Sequence, residues 1–215
     1  MSTRRERRAQ RRKQRGGAGA RERTFPWFTP LVVTVVLVGG FFALRAFGAF
    51  EPQATAIAGS SIDPRQFETQ KAGEQVPIMG NEHITTGQRF TAYNSTPPTS
   101  GPHWSERGKA PIGWGAYTTQ QPDEAVVHNL EHGGVLIAYN GISSEDVANL
   151  KSLRARYPRD KYGAVKIVIE PYDRLESGTI ALTAWGWIDK MQSYEERRII
   201  SFIAAHINRG PEDAP

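Results

Sequence analysis

Apolar positions follow two regimes along the chain. From Trp27 to Leu44 they run without a charged residue, whereas beyond residue 76 they come in short runs or at helical spacing. A helix rising ~1.5 Å per residue needs about 20 residues to cross a ~30 Å hydrocarbon layer. Residues 24–47 therefore read as one transmembrane helix, with Trp27 and Phe28 at one interface and Arg45 reaching out of the other. A cleaved signal peptide shares these features, and Ala54, Ala56 and Ala58 follow the run; its length favours retention as an anchor.

Residues 48–75 mix Ala, Gly, Ser, Gln, Pro and charges without an apolar period, the pattern of a stalk. Val76 to Tyr93 reads as short strands around Gly80 and Gly87, and Asn94 to Trp104, with Pro97, Pro98 and Pro102, as an ordered loop. Pro122 to His132 is helix-compatible: Asp123 and Glu124 suit the positive end of the dipole, and Gly133 is placed to end it. Val135 to Tyr139 follows as a buried strand.

Ser143 or Ser144 is positioned to cap a helix carrying Val147, Leu150, Leu153 and Tyr157 on one face, closed by Pro158. Ala164 to Ile169 and Thr179 to Ile188 read as two strands and as candidates for pairing with each other. The chain closes with Ser193 and Glu196 in capping-box spacing ahead of Ile199, Ile200, Phe202, Ile203 and Ile207. The alternation predicts an α+β fold: a single compact mixed sheet-and-helix domain over residues 76–211, following one N-terminal transmembrane helix.

Charge changes the picture only at the N-terminus. Residues 1–23 carry ten Arg or Lys against Glu6 and Glu22, a net +8, so the remainder of a +5 chain is at −3. Such a block is also what a nucleic-acid arm looks like, but directly ahead of an apolar span it reads as a cytoplasmic tail that fixes orientation. The expected localisation is the cell membrane, single-pass, with the C-terminal domain extracytoplasmic. The bilayer is then a partner through residues 24–47 and a membrane protein a candidate partner, while no nucleic acid is expected. No glycine-rich phosphate loop appears, so no nucleotide is expected either.

Cysteine is absent. Disulfides, thiolate nucleophiles and thiolate metal ligands are thereby excluded, which leaves imidazole, carboxylate or thioether for any metal.

Four of the five histidines, His83, His103, His128 and His132, fall within fifty residues. His128 and His132 are four apart on the predicted helix and share a face, the spacing of a metal-gripping pair. His103, held between Pro102 and Trp104, is the expected third ligand and His83 the fourth, for copper or zinc. Met79 is a weaker thioether candidate. Glu124 lies on the stripe of His128 and His132, whereas Glu131 is expected on a different face. A zincin helix carries a glutamate directly after its first histidine; Asn129 stands there, which disfavours protease chemistry. His206 sits in an amphipathic segment and reads as a packing residue. Ser100 and Ser105, near His103, lack the glycine-flanked elbow of a serine nucleophile. Trp104, Trp114, Tyr117, Trp185 and Trp187 are compatible with a pocket or with ordinary packing.

Three segments, Tyr93-Asn94-Ser95-Thr96-Pro97-Pro98-Thr99-Ser100-Gly101-Pro102-His103, Val127-His128-Asn129-Leu130-Glu131-His132-Gly133-Gly134 and Leu182-Thr183-Ala184-Trp185-Gly186, resemble the bacterial family known as domain of unknown function 3105. The resemblance runs from about His83 to Pro211. It implies an N-terminal membrane anchor with the domain outside, and a pattern that includes His83, His103, His128, Glu131 and His132 but not Met79; it implies no activity.

The functional expectation is a membrane-anchored extracytoplasmic domain that binds a copper or zinc ion through His83, His103, His128 and His132, for metal handling or envelope complex assembly. Two alternatives stay open. One is a metal-dependent hydrolase with Glu131 or Glu124 as base; the other is a metal-free interaction module whose histidines are structural.

Overall fold

The computed structural model describes residues 60–67 and 72–215. The basic tail and the transmembrane helix expected at 24–47 lie outside these residues. Among the described residues no helix is long and apolar enough to cross a membrane.

Within the described residues, eight strands and three α-helices follow in the order β1 (Glu74–Gln75), β2 (His83–Ile84), β3 (His103–Trp104), β4 (Gly115–Ala116), α1 (Asp123–Glu131), β5 (Val135–Asn140), α2 (Ser144–Arg156), β6 (Ile167–Pro171), β7 (Thr179–Ala184), β8 (Trp187–Met191) and α3 (Glu196–His206). Six strands form one mixed sheet in the order β1-β8-β7-β5-β6-β4, and β2 and β3 form a separate pair. Strands β4, β5 and β6 are parallel, and the other neighbours are antiparallel. The fold is α+β.

Side chains alternate across a strand, and the three central strands use that period to build two cores. Val135, Ile137, Ile167, Ile169, Ile180 and Leu182 meet Leu150 and Leu153 of α2 and Ile199, Phe202 and Ile203 of α3 on one face. Leu136, Ala138, Val168 and Ala181 meet Val126 and Leu130 of α1 on the other. Strands covered on both faces read as unbroken apolar runs, which is why Val135 to Ala138 shows no polar alternation.

Helix α2 starts where its sequence says: the Ser143 hydroxyl accepts the Asp146 N–H at 3.0 Å, and Tyr157, extended ahead of Pro158, ends it. Helix α1 stops at Gly133, whose φ of +77° suits a residue without Cβ.

Other expectations give way. Thr179 to Ile188 is not one strand, because Trp185 and Gly186, the latter at φ +73°, turn it into the β7–β8 hairpin. Nor does the Ala164–Ile169 region pair with it: β5 lies between β6 and β7. The capping box at Ser193 is not made. The residue ahead of α3 is Glu195, without a side-chain cap, and Glu196 is paired with Arg156 at 2.5 Å. Part of the segment expected as a stalk packs on the domain: Ile62 is buried in the core, its N–H bonded to the Arg156 carbonyl at 3.1 Å, and Glu74–Gln75 forms the sheet's edge strand.

Candidate metal centre

Helix α1 is buried along its whole length, polar residues included. Burying Asp123, Glu124, His128, Asn129 and Glu131 costs free energy unless each polar group is paired, so their partners indicate what each does. Asn129, in the zincin glutamate's place, is a clamp: its amide donates to the Ile112 carbonyl at 2.8 Å and its oxygen accepts the Ile112 N–H at 3.0 Å. Glu124 accepts the Phe90 N–H at 2.7 Å and faces Arg89 at 3.6 Å. Asp123 pairs with Arg174 and accepts from the Tyr172 hydroxyl.

The remaining two face a small parallel ladder. Pairing of β2 with β3 puts His83 directly beside His103, and Ile84 beside Trp104. The ring centroids of His83 and His103 are 4.9 Å apart, those of His103 and His128 5.1 Å, and those of His83 and His128 5.6 Å. Glu131 completes the group: its Oε2 lies 2.9 Å from His103 Nε2 and 3.6 Å from His83 Nε2. One ligand atom from each of His83, His103, His128 and Glu131 lies within 4.8 Å of the others. Ligands ~2.0 Å from a tetrahedral zinc are roughly 3.3 Å apart, a spacing that the two Glu131 distances bracket.

Two rings are set for ligation by backbone carbonyls. His103 Nδ1–H donates to Gly101 O at 2.8 Å, and His128 Nδ1–H to Trp104 O at 2.6 Å. A carbonyl only accepts, so each tautomer is fixed and the Nε2 of both rings is left for another partner, the usual outer support of metal-binding histidines. Burial also holds His128 below the ordinary imidazole range, against the Trp104 carbonyl, which raises it. The ring is therefore kept neutral, the form that ligates.

Glu131 is wholly buried, and its Oε1 accepts no hydrogen bond. A carboxylate facing the Nε2 of a histidine whose Nδ1 already carries a proton requires positive charge between them, either a second proton or a cation. The cluster meets solvent through His83, whose side chain is 46% exposed.

His132 stands beside this group. Its ring centroid is 4.6 Å from that of His128, but its Nε2 faces Glu212 at 3.3 Å, and it falls in a second group with His128 and Glu212. The expectation that Glu131 points to another face does not hold. Residue i+3 lies about 60° to one side of residue i on a helix and i+4 about 40° to the other, so Glu131 and His132 flank His128. Met79 is engaged elsewhere, its sulfur accepting the Asn94 N–H at 3.2 Å. Ser100 accepts the Met79 N–H at 3.0 Å, and His206 bonds the Ala72 carbonyl at 2.9 Å while stacking on Trp187.

The ligand set read from the residues left out Glu131, which the family pattern included, and Glu212, which nothing singled out. The first was signalled by its i+3 spacing from His128. The second, eighty residues away along the chain, carried no local signal. Residues 83–215 match the family described as protein of unknown function DUF3105. No curated protein and no solved structure matches the chain.

Proposed function

We propose, for a chain that belongs to the DUF3105 family, a membrane-tethered extracytoplasmic domain that binds one copper or zinc ion through His83, His103, His128 and Glu131 and serves metal handling or assembly of an envelope complex. The observation that carries the metal reading is the buried Glu131 carboxylate set against imidazole nitrogens whose tautomers backbone carbonyls fix. Three nitrogens and one oxygen without sulfur suit zinc or oxidised copper better than a soft ion. The tether rests on the Arg-rich tail ahead of the Trp27–Leu44 run.

A hydrolase is less well supported. With Glu131 among the ligands, no fourth position is left open for water, and Glu124 is not among the residues whose ligand atoms converge there. The test is elemental analysis of the full chain, purified without a histidine tag, beside Glu131→Gln and His128→Ala. Near-stoichiometric copper or zinc that falls in both variants supports the reading; a wild-type chain that also refuses added copper and zinc overturns it.

A further inference from the structure

His132 repeats, one helical turn along, the arrangement of the buried rings. Its Nδ1 lies 3.1 Å from a backbone oxygen of Pro215, which leaves Nε2 3.3 Å from the Glu212 carboxylate. Ligand atoms from His128, His132 and Glu212 lie within 4.8 Å of one another.

The segment that brings Glu212 is held in place. Glu212 N–H donates to the Glu131 carbonyl at 3.1 Å, and Asn208 N–H to the Gly133 carbonyl at 2.7 Å. Gly210 lies so close that a Cβ there would stand 2.1 Å from the Glu131 carbonyl oxygen. The Lys166 ammonium bridges the backbone oxygens of His132 and Ala214, and the Tyr162 hydroxyl donates to the Asp213 carbonyl at 3.0 Å.

We propose that His128, His132 and Glu212 form a second, outer metal station, and that a divalent cation passes between it and the inner seat of His83, His103, His128 and Glu131 through the shared His128 ring. The inference rests on the metal-binding reading above. His128 Nδ1 is committed to Trp104, so only Nε2 ligates, and one lone pair holds one ion. The stations are therefore alternatives and the stoichiometry stays at one.

The number of protein ligands gives them different roles. The inner seat is closed by four, of which His103 and Glu131 are fully buried and His83 is 46% exposed, whereas the outer station has three, with the Glu212 side chain 44% exposed. Outward transfer keeps the bond to His128, breaks those to His83, His103 and Glu131, and forms those to His132 and Glu212, with water taking the fourth position. No electron moves. The outer station, with three protein ligands, is the one an acceptor can reach by adding a ligand of its own.

Transfer of Zn2+ from the loaded full chain in detergent to a chromophoric chelator tests this, with Glu212→Gln and His132→Ala compared with wild type. Unchanged stoichiometry and affinity with several-fold slower release is the expected result. Release at the wild-type rate, or a wild type that takes up no Zn2+, overturns the outer station alone, whereas a wild type that refuses Cu2+ as well overturns it together with the metal reading. Because His132→Ala also removes a packed ring, Co2+ spectra of His83→Ala/Glu131→Gln give an independent readout. That variant retains weak Co2+ binding, which is lost on adding Glu212→Gln; binding indifferent to Glu212 sinks the proposal.

Discussion

Glu131→Gln separates the charge of the cluster from its volume. The side chain is fully buried and touches His103 Nε2 at 2.9 Å, so the amide leaves no cavity. Without metal, the replacing amide donates to His103 Nε2, whose Nδ1 proton is given to Gly101, so a neutral hydrogen bond takes the place of the carboxylate's at a cost of about 1–2 kcal/mol. With metal the balance differs. A ligand that binds only the folded state, at a free concentration a thousandfold above Kd, stabilises by about 4 kcal/mol. A domain of this size gains about 2–4 °C per kcal/mol, so Zn2+ raises the wild-type Tm by roughly 8–16 °C. Glu131→Gln, deprived of the anionic ligand, keeps its metal-free Tm within a few degrees and loses most of the Zn2+ shift. Differential scanning fluorimetry with and without chelator measures both. A Zn2+ shift equal in the variant and the wild type refutes the reasoning, because the carboxylate would then not be a ligand.

Four further outcomes follow from the same contacts. His128 is held below its ordinary value of 6.5 by burial, so the unfolded state binds more protons below about pH 6.5 and stability falls as pH drops through the folded value; urea midpoints between pH 7.5 and 5.5 show this slope, which His128→Ala reduces but does not abolish, because burial lowers His206 too. Glu170 has the opposite sign: burial raises it from 4.5 to about 8, so its contribution is lost as pH rises through that window, and Glu170→Gln stabilises more at pH 8.5 than at pH 5.5 in thermal melts. Gly133→Ala costs at least ~1–2 kcal/mol in denaturant titrations, since its φ is +77° and a Cβ would meet Asn208 Cα at 2.8 Å. A reporter enzyme active only outside the cytoplasm is active when fused after Pro215 and silent when fused after Ala20, if residues 24–47 span the membrane.

What was legible in the sequence is what local physics fixes. Ser143 caps its helix, Gly133 ends another, and the apolar runs at Val135 and Ile167 mark doubly covered strands, because each depends on neighbours a few residues away. The Trp185-Gly186 turn was hidden inside a run of branched and aromatic residues whose period does not break there. The site was half legible. Four clustered histidines pointed to it, but their arrangement depends on the two-residue ladder that sets His83 beside His103, too short to leave a periodic trace. The i,i+4 rule favoured His132 over Glu131, although both flank His128; what separates them is Glu212, which turns His132 outward from across the fold.

X-ray absorption at the metal edge of the Zn2+- or Cu2+-loaded full chain is the most direct test of the central claim. Three imidazoles and one carboxylate predict a nitrogen and oxygen shell at about 2.0 Å with the multiple scattering of three rings and no sulfur, and one ring fewer in His83→Ala. A sulfur shell, the spectrum of a hydrated ion, or scattering unchanged in that variant would contradict the account.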